Sequence, residues 1–106
     1  MEPSKRDRLA RGGWESGSAA DFLGLSPEEV ALINMKLALA DHLRALRTGQ
    51  AWTQTQLAQH LGSSQSRVAK MEAADRSASL DLLVKGLLTL GASPGDVGRV
   101  ISNAAA

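Results

Sequence analysis

A chain of 106 residues with 43% hydrophobic and 22% charged residues fits one small globular domain rather than a disordered polymer. The absence of cysteine excludes a disulfide framework and a thiolate metal site. A net charge of +1 argues against a purely electrostatic binder of nucleic acid, so an anionic partner must be met by a local patch.

Residues 1 to 20 hold charges (Lys5, Arg6, Arg8, Arg11), glycines (Gly12, Gly13, Gly17) and few large apolar groups beyond Leu9 and Trp14. This composition predicts a flexible N-terminal arm. No apolar h-region follows the cations and no apolar run reaches the roughly 18 residues of a membrane span. The expected location is therefore the cytoplasm, with no membrane partner.

The first helix is predicted to start at Ser26. Ser26-Pro27-Glu28-Glu29 is a capping box with proline at the first helical position and two carboxylates in the first turn. Val30, Ile33, Leu37, Ala40, Leu43 and Leu46 recur at helical spacing, with no glycine until Gly49, which predicts one long helix over 27–47. Thr53 caps a second helix carrying Leu57, Ala58 and Leu61, and Gly62 ends it. Ser63-Ser64 start a third helix with Val68 and Met71 on its inner side. Ser79 caps a fourth that ends at Gly91, and Ser93-Pro94 opens a short fifth with Val97, Val100 and Ile101. No segment alternates with period two for long enough to make a strand.

The stretch Thr53 to Glu72 has the layout of a helix-turn-helix: two short helices around a tight turn containing glycine. Ala58 is small where the helices approach, Gly62 allows the turn, and Leu57, Leu61, Val68 and Met71 fix the angle between the helices. The start of the third helix offers Ser64, Gln65, Ser66 and Arg67, with Lys70 one turn on. These side chains suit base edges in a major groove, and helix N-termini offer free amides to phosphates. Gln54, opening the second helix, suits a backbone phosphate in the same way. From His42 to Lys70 the charged residues are Arg44, Arg47, Arg67 and Lys70, without an aspartate or glutamate, so a nearly neutral chain still presents one basic face.

These residues resemble the phage-repressor-like helix-turn-helix family, also called the Xre or Cro/C1 type. The resemblance is carried by Thr53-Gln54, Leu57-Ala58, Leu61-Gly62, Ser64-Gln65-Ser66, Val68, Glu72, Ser79-Leu80 and Leu83, and covers residues 36 to 92. It implies base contacts from Gln65, Ser66 and Lys70, and phosphate contacts from Gln54, Ser64 and the loop around Arg76 and Ser77. It also implies an ion pair between Arg47 and Glu72 that belongs to the scaffold rather than to the DNA face. The chain departs from the family at Ala74, where glycine is usual, and in lacking the usual loop proline.

A narrower resemblance covers residues 14 to 93. Asp21-Phe22-Leu23-Gly24-Leu25-Ser26-Pro27-Glu28-Glu29 leading into the long helix, followed by Gly62 to Glu72 and Ser79-Leu80-Asp81-Leu82-Leu83, is similar to the HigA-type antitoxins of bacterial toxin–antitoxin modules. That resemblance implies neutralisation of an mRNA-cleaving HigB/RelE-like toxin and repression of the protein's own operon. Arg8, Leu9, Arg11 and Trp14 of the arm are the candidate toxin-binding residues, since tryptophan and arginine most often anchor interfaces. Trp14 suits packing onto the long helix equally well, and Phe22 suits it better. A stand-alone Xre-type repressor is the alternative, and a helical interaction module that does not meet DNA is a third.

His42 and His60 lie a helix and a turn apart without a carboxylate or cysteine cluster, so no metal is expected. No nucleophile–base arrangement or phosphate-cradling glycine loop points to an enzyme or a cofactor. Trp52, just before the Thr53 cap, fits a hydrophobic staple better than base stacking. Leu82, Leu88, Leu90, Val97, Val100 and Ile101 exceed what one helix face needs, which suggests a homodimer seam as well as ordinary core. A dimer would place two third helices on a palindromic operator of double-stranded DNA, one helical turn apart. The resulting expectation is an all-α, five-helix, repressor-like helix-turn-helix domain over residues 21–103, with a long first helix and a flexible arm over residues 1–20. Arg44 and Arg76 join the phosphate-holding residues of that domain.

Overall fold

The structure is a computed structural model that describes residues 23–104. The candidate arm residues Arg8, Leu9, Arg11 and Trp14 lie outside the described residues. The described chain is all helical, with five helices: α1 (Pro27–Gly49), α2 (Gln54–Leu61), α3 (Gln65–Glu72), α4 (Leu80–Thr89) and α5 (Pro94–Ala104). Its described residues fall into two units, 23–33 and 34–104.

In the first unit the described residues open α1. The Ser26 amide donates to Glu29 Oε1 at 2.7 Å and the Glu29 amide donates to Ser26 Oγ at 3.1 Å, closing a capping box. Leu23, Leu32 and Ile33 are exposed there, while Val30 is half-buried.

The second unit holds the core. Leu39, Ala40 and Leu43 of α1 meet Leu57 and Ala58 of α2, Val68 and Met71 of α3, Leu83 and Leu87 of α4, and Ala78, Leu90 and Val97. At Gly86 of α4 a Cβ would stand 3.0 Å from Met71 Cε and 3.1 Å from Leu43 Cδ1. The missing side chain is what lets α4 close onto both α1 and α3. Leu90 and Val97, set down above as dimer-seam candidates, are 4% and 7% exposed and belong to the core of the single chain. Leu82, Val100 and Ile101 pack half-buried against that core, and Leu88 is exposed. The reason is size: a domain this small needs most of its large apolar groups for its own interior.

Local chemistry sets the helix ends. Thr53, Ser64 and Ser79 have extended backbones, and their hydroxyls accept from the amides of Gln56, Arg67 and Leu82. At α2 the box is complete, because the Thr53 amide donates to Gln56 Oε1 at 2.8 Å. Four helices end in the same way, with an amide beyond the helix end reaching five residues back. The bonds are Trp52 N to Arg47 O, Ser63 N to Ala58 O, Asp75 N to Lys70 O and Ala92 N to Leu87 O, at 3.1, 2.8, 3.0 and 3.0 Å. This is the Schellman arrangement, which needs a left-handed residue before the donor. Gly62 and Gly91 supply it at φ +67° and +102°. Ala51 and Ala74 supply it at φ 62° and 54°, where an alanine Cβ is crowded. α1 therefore runs two residues past the predicted end at Arg47, to a stop that carries no glycine at the left-handed position.

Candidate nucleic-acid interface

α2 and α3 meet across the Gly62-Ser63-Ser64 turn. Leu57, Val68 and Met71 are fully buried and Ala58 nearly so, at 2%. This apolar seam consumes one side of α3 and turns the other outward. Ser64, Gln65, Ser66, Arg67 and Lys70 are all exposed. Ser64, Ser66, Arg67 and Lys70 line one open depression, and Ser77 from the loop after α3 completes its wall. The hydroxyl oxygen of Ser64 is engaged as the cap of α3, accepting from the Arg67 amide at 3.1 Å. Its proton remains available to donate.

The structure brings Arg47 and Glu72 together. Arg47 grips Glu72 through Nε to Oε2, and through Nη2 to Oε1 at 3.0 Å, while Nη1 donates to the Trp52 carbonyl at 2.7 Å. The side chains are only 11% and 5% exposed. Glu72 holds the Arg47 guanidinium charged more firmly than usual, first by hydrogen bonding and then by its charge, against burial, which works the other way. The pair ties the end of α1, the approach to α2 and the end of α3 into one piece.

Gln54 is half-buried and points into the motif. Its Nε2 donates to Glu72 Oε1 at 3.1 Å, and its Oε1 accepts from Gln65 Nε2 at 2.6 Å. The residue named above as a phosphate clamp thus has both ends of its amide engaged within the protein. Local sequence pattern does not connect these three residues. The available signal was that Gln54 and Gln65 each open a helix, while Gln65 and Glu72 are seven apart and share a face of α3.

Arg44 is exposed on α1, and Arg76 is exposed in the loop after α3. Neither lines the depression at the start of α3. Ala74, where the resemblance leads to glycine, adopts the left-handed conformation itself. Asp75 then braces it: Oδ2 accepts from the Ser77 hydroxyl at 2.6 Å and from the Ser77 amide at 2.9 Å. Those two bonds, more than the charges of Lys70 and Lys36, hold the Asp75 carboxyl below the ordinary aspartate value. Trp52 is half-buried against the core, and its ring lies 4.6 Å from that of His60, tilted by 43°. Among the described residues no group of three metal-binding side chains occurs, and no helix is long and apolar enough to cross a membrane.

Two short helices locked across a left-handed glycine, the second showing hydroxyls, an amide and cations to solvent, define a helix-turn-helix module of the DNA-binding class. The chain belongs to the family described as helix-turn-helix domain, whose model matches residues 38–100, more than half of its length. No curated protein and no solved structure matches it.

Proposed function

We propose that the protein is a sequence-specific, DNA-binding transcriptional regulator of the Xre type, which docks α3 in a major groove. The observation that carries this is the exposed row Ser64, Gln65, Ser66, Arg67 and Lys70 on a helix whose opposite side is fully buried. Gln65, Ser66, Arg67 and Lys70 read base edges, while Ser64, Arg44 and Arg76 hold phosphates. Gln54 stands beside them, either as a clamp or as a support for Gln65. Residues 21–103 form the DNA-binding domain and residues 1–20 an arm. A homodimer sets two copies of α3 on a palindromic operator. A gel shift on the gene's own promoter tests the reading. Retarded DNA that is released by Gln65→Ala and Lys70→Ala supports it, and unchanged affinity in both variants removes α3 from the interface.

The finer reading is a HigA-type antitoxin that neutralises an mRNA-cleaving HigB/RelE-like toxin and represses its own operon. Support comes from the resemblance between Asp21 and Arg47, and from Leu32 and Ile33, which are 44% and 43% exposed near the start of α1 and suit a protein partner. Arg8, Leu9, Arg11 and Trp14 would join that contact. Co-expression with the neighbouring reading frame checks it. A toxic product whose toxicity this chain suppresses, and which it ceases to suppress when residues 1–20 are removed, supports the antitoxin. A neighbour without toxicity leaves the stand-alone repressor.

A further inference from the structure

α1 carries one apolar face, and only part of that face is covered. Leu39, Ala40 and Leu43 are buried in the core. Helical spacing places Glu29, Leu32, Ile33 and Lys36 on the same face, nearer the N-terminus of the helix. There the face opens to solvent: Leu32 and Ile33 are 44% and 43% exposed, Glu29 is exposed and Lys36 is half-buried. Two large apolar side chains side by side on a helix surface leave in water an area that a covering helix would remove.

The charges beside this pair indicate the cover. Glu29 stands three and four positions before Leu32 and Ile33, and Lys36 stands four and three positions after them. The stripe reads acid, apolar, apolar, base, and it is complementary to itself when turned end for end. A second copy laid antiparallel, about a two-fold axis between Leu32 and Ile33, sets each Glu29 against the Lys36 of the other copy and packs Leu32 against Ile33 twice over. Parallel pairing would set Glu29 against Glu29 and Lys36 against Lys36, so the charges that join the antiparallel pair oppose the parallel one. The Ser26 amide donates to Glu29 Oε1 and so fixes that carboxylate at the start of the helix. Lys36 also acts on Asp75 of its own chain, but less than the Ser77 bonds do.

We infer that this stripe of α1 is the seam of a homodimer, in which a second copy of the chain lays its own α1 antiparallel across Glu29, Leu32, Ile33 and Lys36. The inference rests on the homodimer of the DNA-binding reading and gives it an interface. A stripe that matches its own two-fold image favours a second copy over an unlike protein, which would need no such symmetry of charge. It also takes the place of a seam on α4 and α5, whose Leu90 and Val97 belong to the core. About ten residues from each helix make less than a standard interface, so the free dimer is weak, and the two half-sites of an operator reinforce it.

The test is sedimentation equilibrium of the full chain without DNA, carried up to millimolar concentration, with circular dichroism melts to confirm folding. Wild type is expected to approach twice the monomer mass. Leu32→Asp should weaken the association by about a hundredfold. Lys36→Glu and Glu29→Lys each place like charges across the seam, and each by itself should stay monomeric. Mixed together they should associate again, because every facing pair is then of opposite sign. Glu29→Lys gives up the bond with the Ser26 amide, and the mixture controls for that, since a second variant would not repair a damaged helix start. Should Glu29→Lys not fold, Leu32→Asp and Lys36→Glu decide the matter by themselves. A wild type that stays monomeric overturns the inference and leaves Leu32 and Ile33 to the arm or to a different protein. A dimer that survives Leu32→Asp and Lys36→Glu, or two folded charge variants whose mixture stays monomeric, overturns it as well. A gel shift on the promoter keeps the two readings apart: a dimer that behaves as expected and retards no DNA upholds the seam and overturns the DNA reading.

Discussion

The two sides of α3 show opposite uses of one eight-residue helix. The inner side, Val68, Met71 and the carboxylate of Glu72, is closed off from solvent and holds three other helices in place. The outer side, Ser66, Arg67 and Lys70, is exposed and contributes little to the core, while Gln65 is exposed at the start of the face that Glu72 ends. Burial makes the inner residues matter to stability, because each lost contact leaves a void or an orphaned charge. Exposure makes the outer residues cheap to the fold and available to a ligand. Gln54 joins the buried and the exposed end of one face, since it bonds to Glu72 at the one and to Gln65 at the other.

This contrast is open to direct attack, starting with the inner side. Glu72→Ala leaves a mostly buried guanidinium with only the Trp52 carbonyl, and should cost about 3–5 kcal/mol in urea unfolding. A variant of wild-type stability that had lost DNA binding would move Glu72 to the outer side. Met71→Ala removes a fully buried side chain at the junction of α1, α3 and α4, and about 3 kcal/mol should be lost with no change of helix content in the folded state. On the outer side, Lys70→Ala should leave the melting temperature within a degree or two. Its operator affinity should fall by about 1–3 kcal/mol. A drop in melting temperature comparable to that of Met71→Ala would erase the distinction between the sides.

The smaller effects lie at the end of α3. Ala74 sits at φ 54° where glycine would be unstrained, so Ala74→Gly should stabilise by about 0.5–1 kcal/mol, the left-handed penalty less the extra freedom of glycine in the unfolded chain. Destabilisation would mean that the Ala74 methyl group packs usefully. The last effect depends on pH. The Asp75 carboxyl is held below the ordinary aspartate value of 3.8, so its contribution is fully present above that value and is lost as pH falls through the lower, folded one. Asp75→Asn should therefore be slightly less stable than wild type at neutral pH, and the two should converge in strong acid. Unfolding curves at pH 7 and pH 2 compare them.

Much of the architecture was legible in the chain because helix signals are local. Ser26, Thr53 and Ser79 each precede an apolar period, and each hydroxyl caps the helix that follows. Gly62 and Gly91 mark helix ends that the structure contains at those places. The ends at Ala51 and Ala74 were harder to read, since alanine carries no sign of a left-handed turn and only the backbone bonds around it reveal one. The outward row from Ser64 to Lys70 followed from periodicity once Val68 and Met71 were turned inward. The path of Gln54 did not follow from it, because a glutamine at the start of a helix is compatible with solvent, phosphate or a buried partner.

The amino-acid sequence by itself determined the five described helices, the caps at Ser26, Thr53 and Ser79, and the pairing of α2 with α3 around a glycine turn. Those features depend on residues within a few positions of each other. Tertiary structure alone decided that Leu90 and Val97 serve the core and that Gln54 faces inward to join Glu72 with Gln65, while the Arg47–Glu72 pair across 25 positions was anticipated only through the family resemblance. Burial and hydrogen-bond partnership are properties of distant segments brought together, and no local pattern of spacing records which of them will meet.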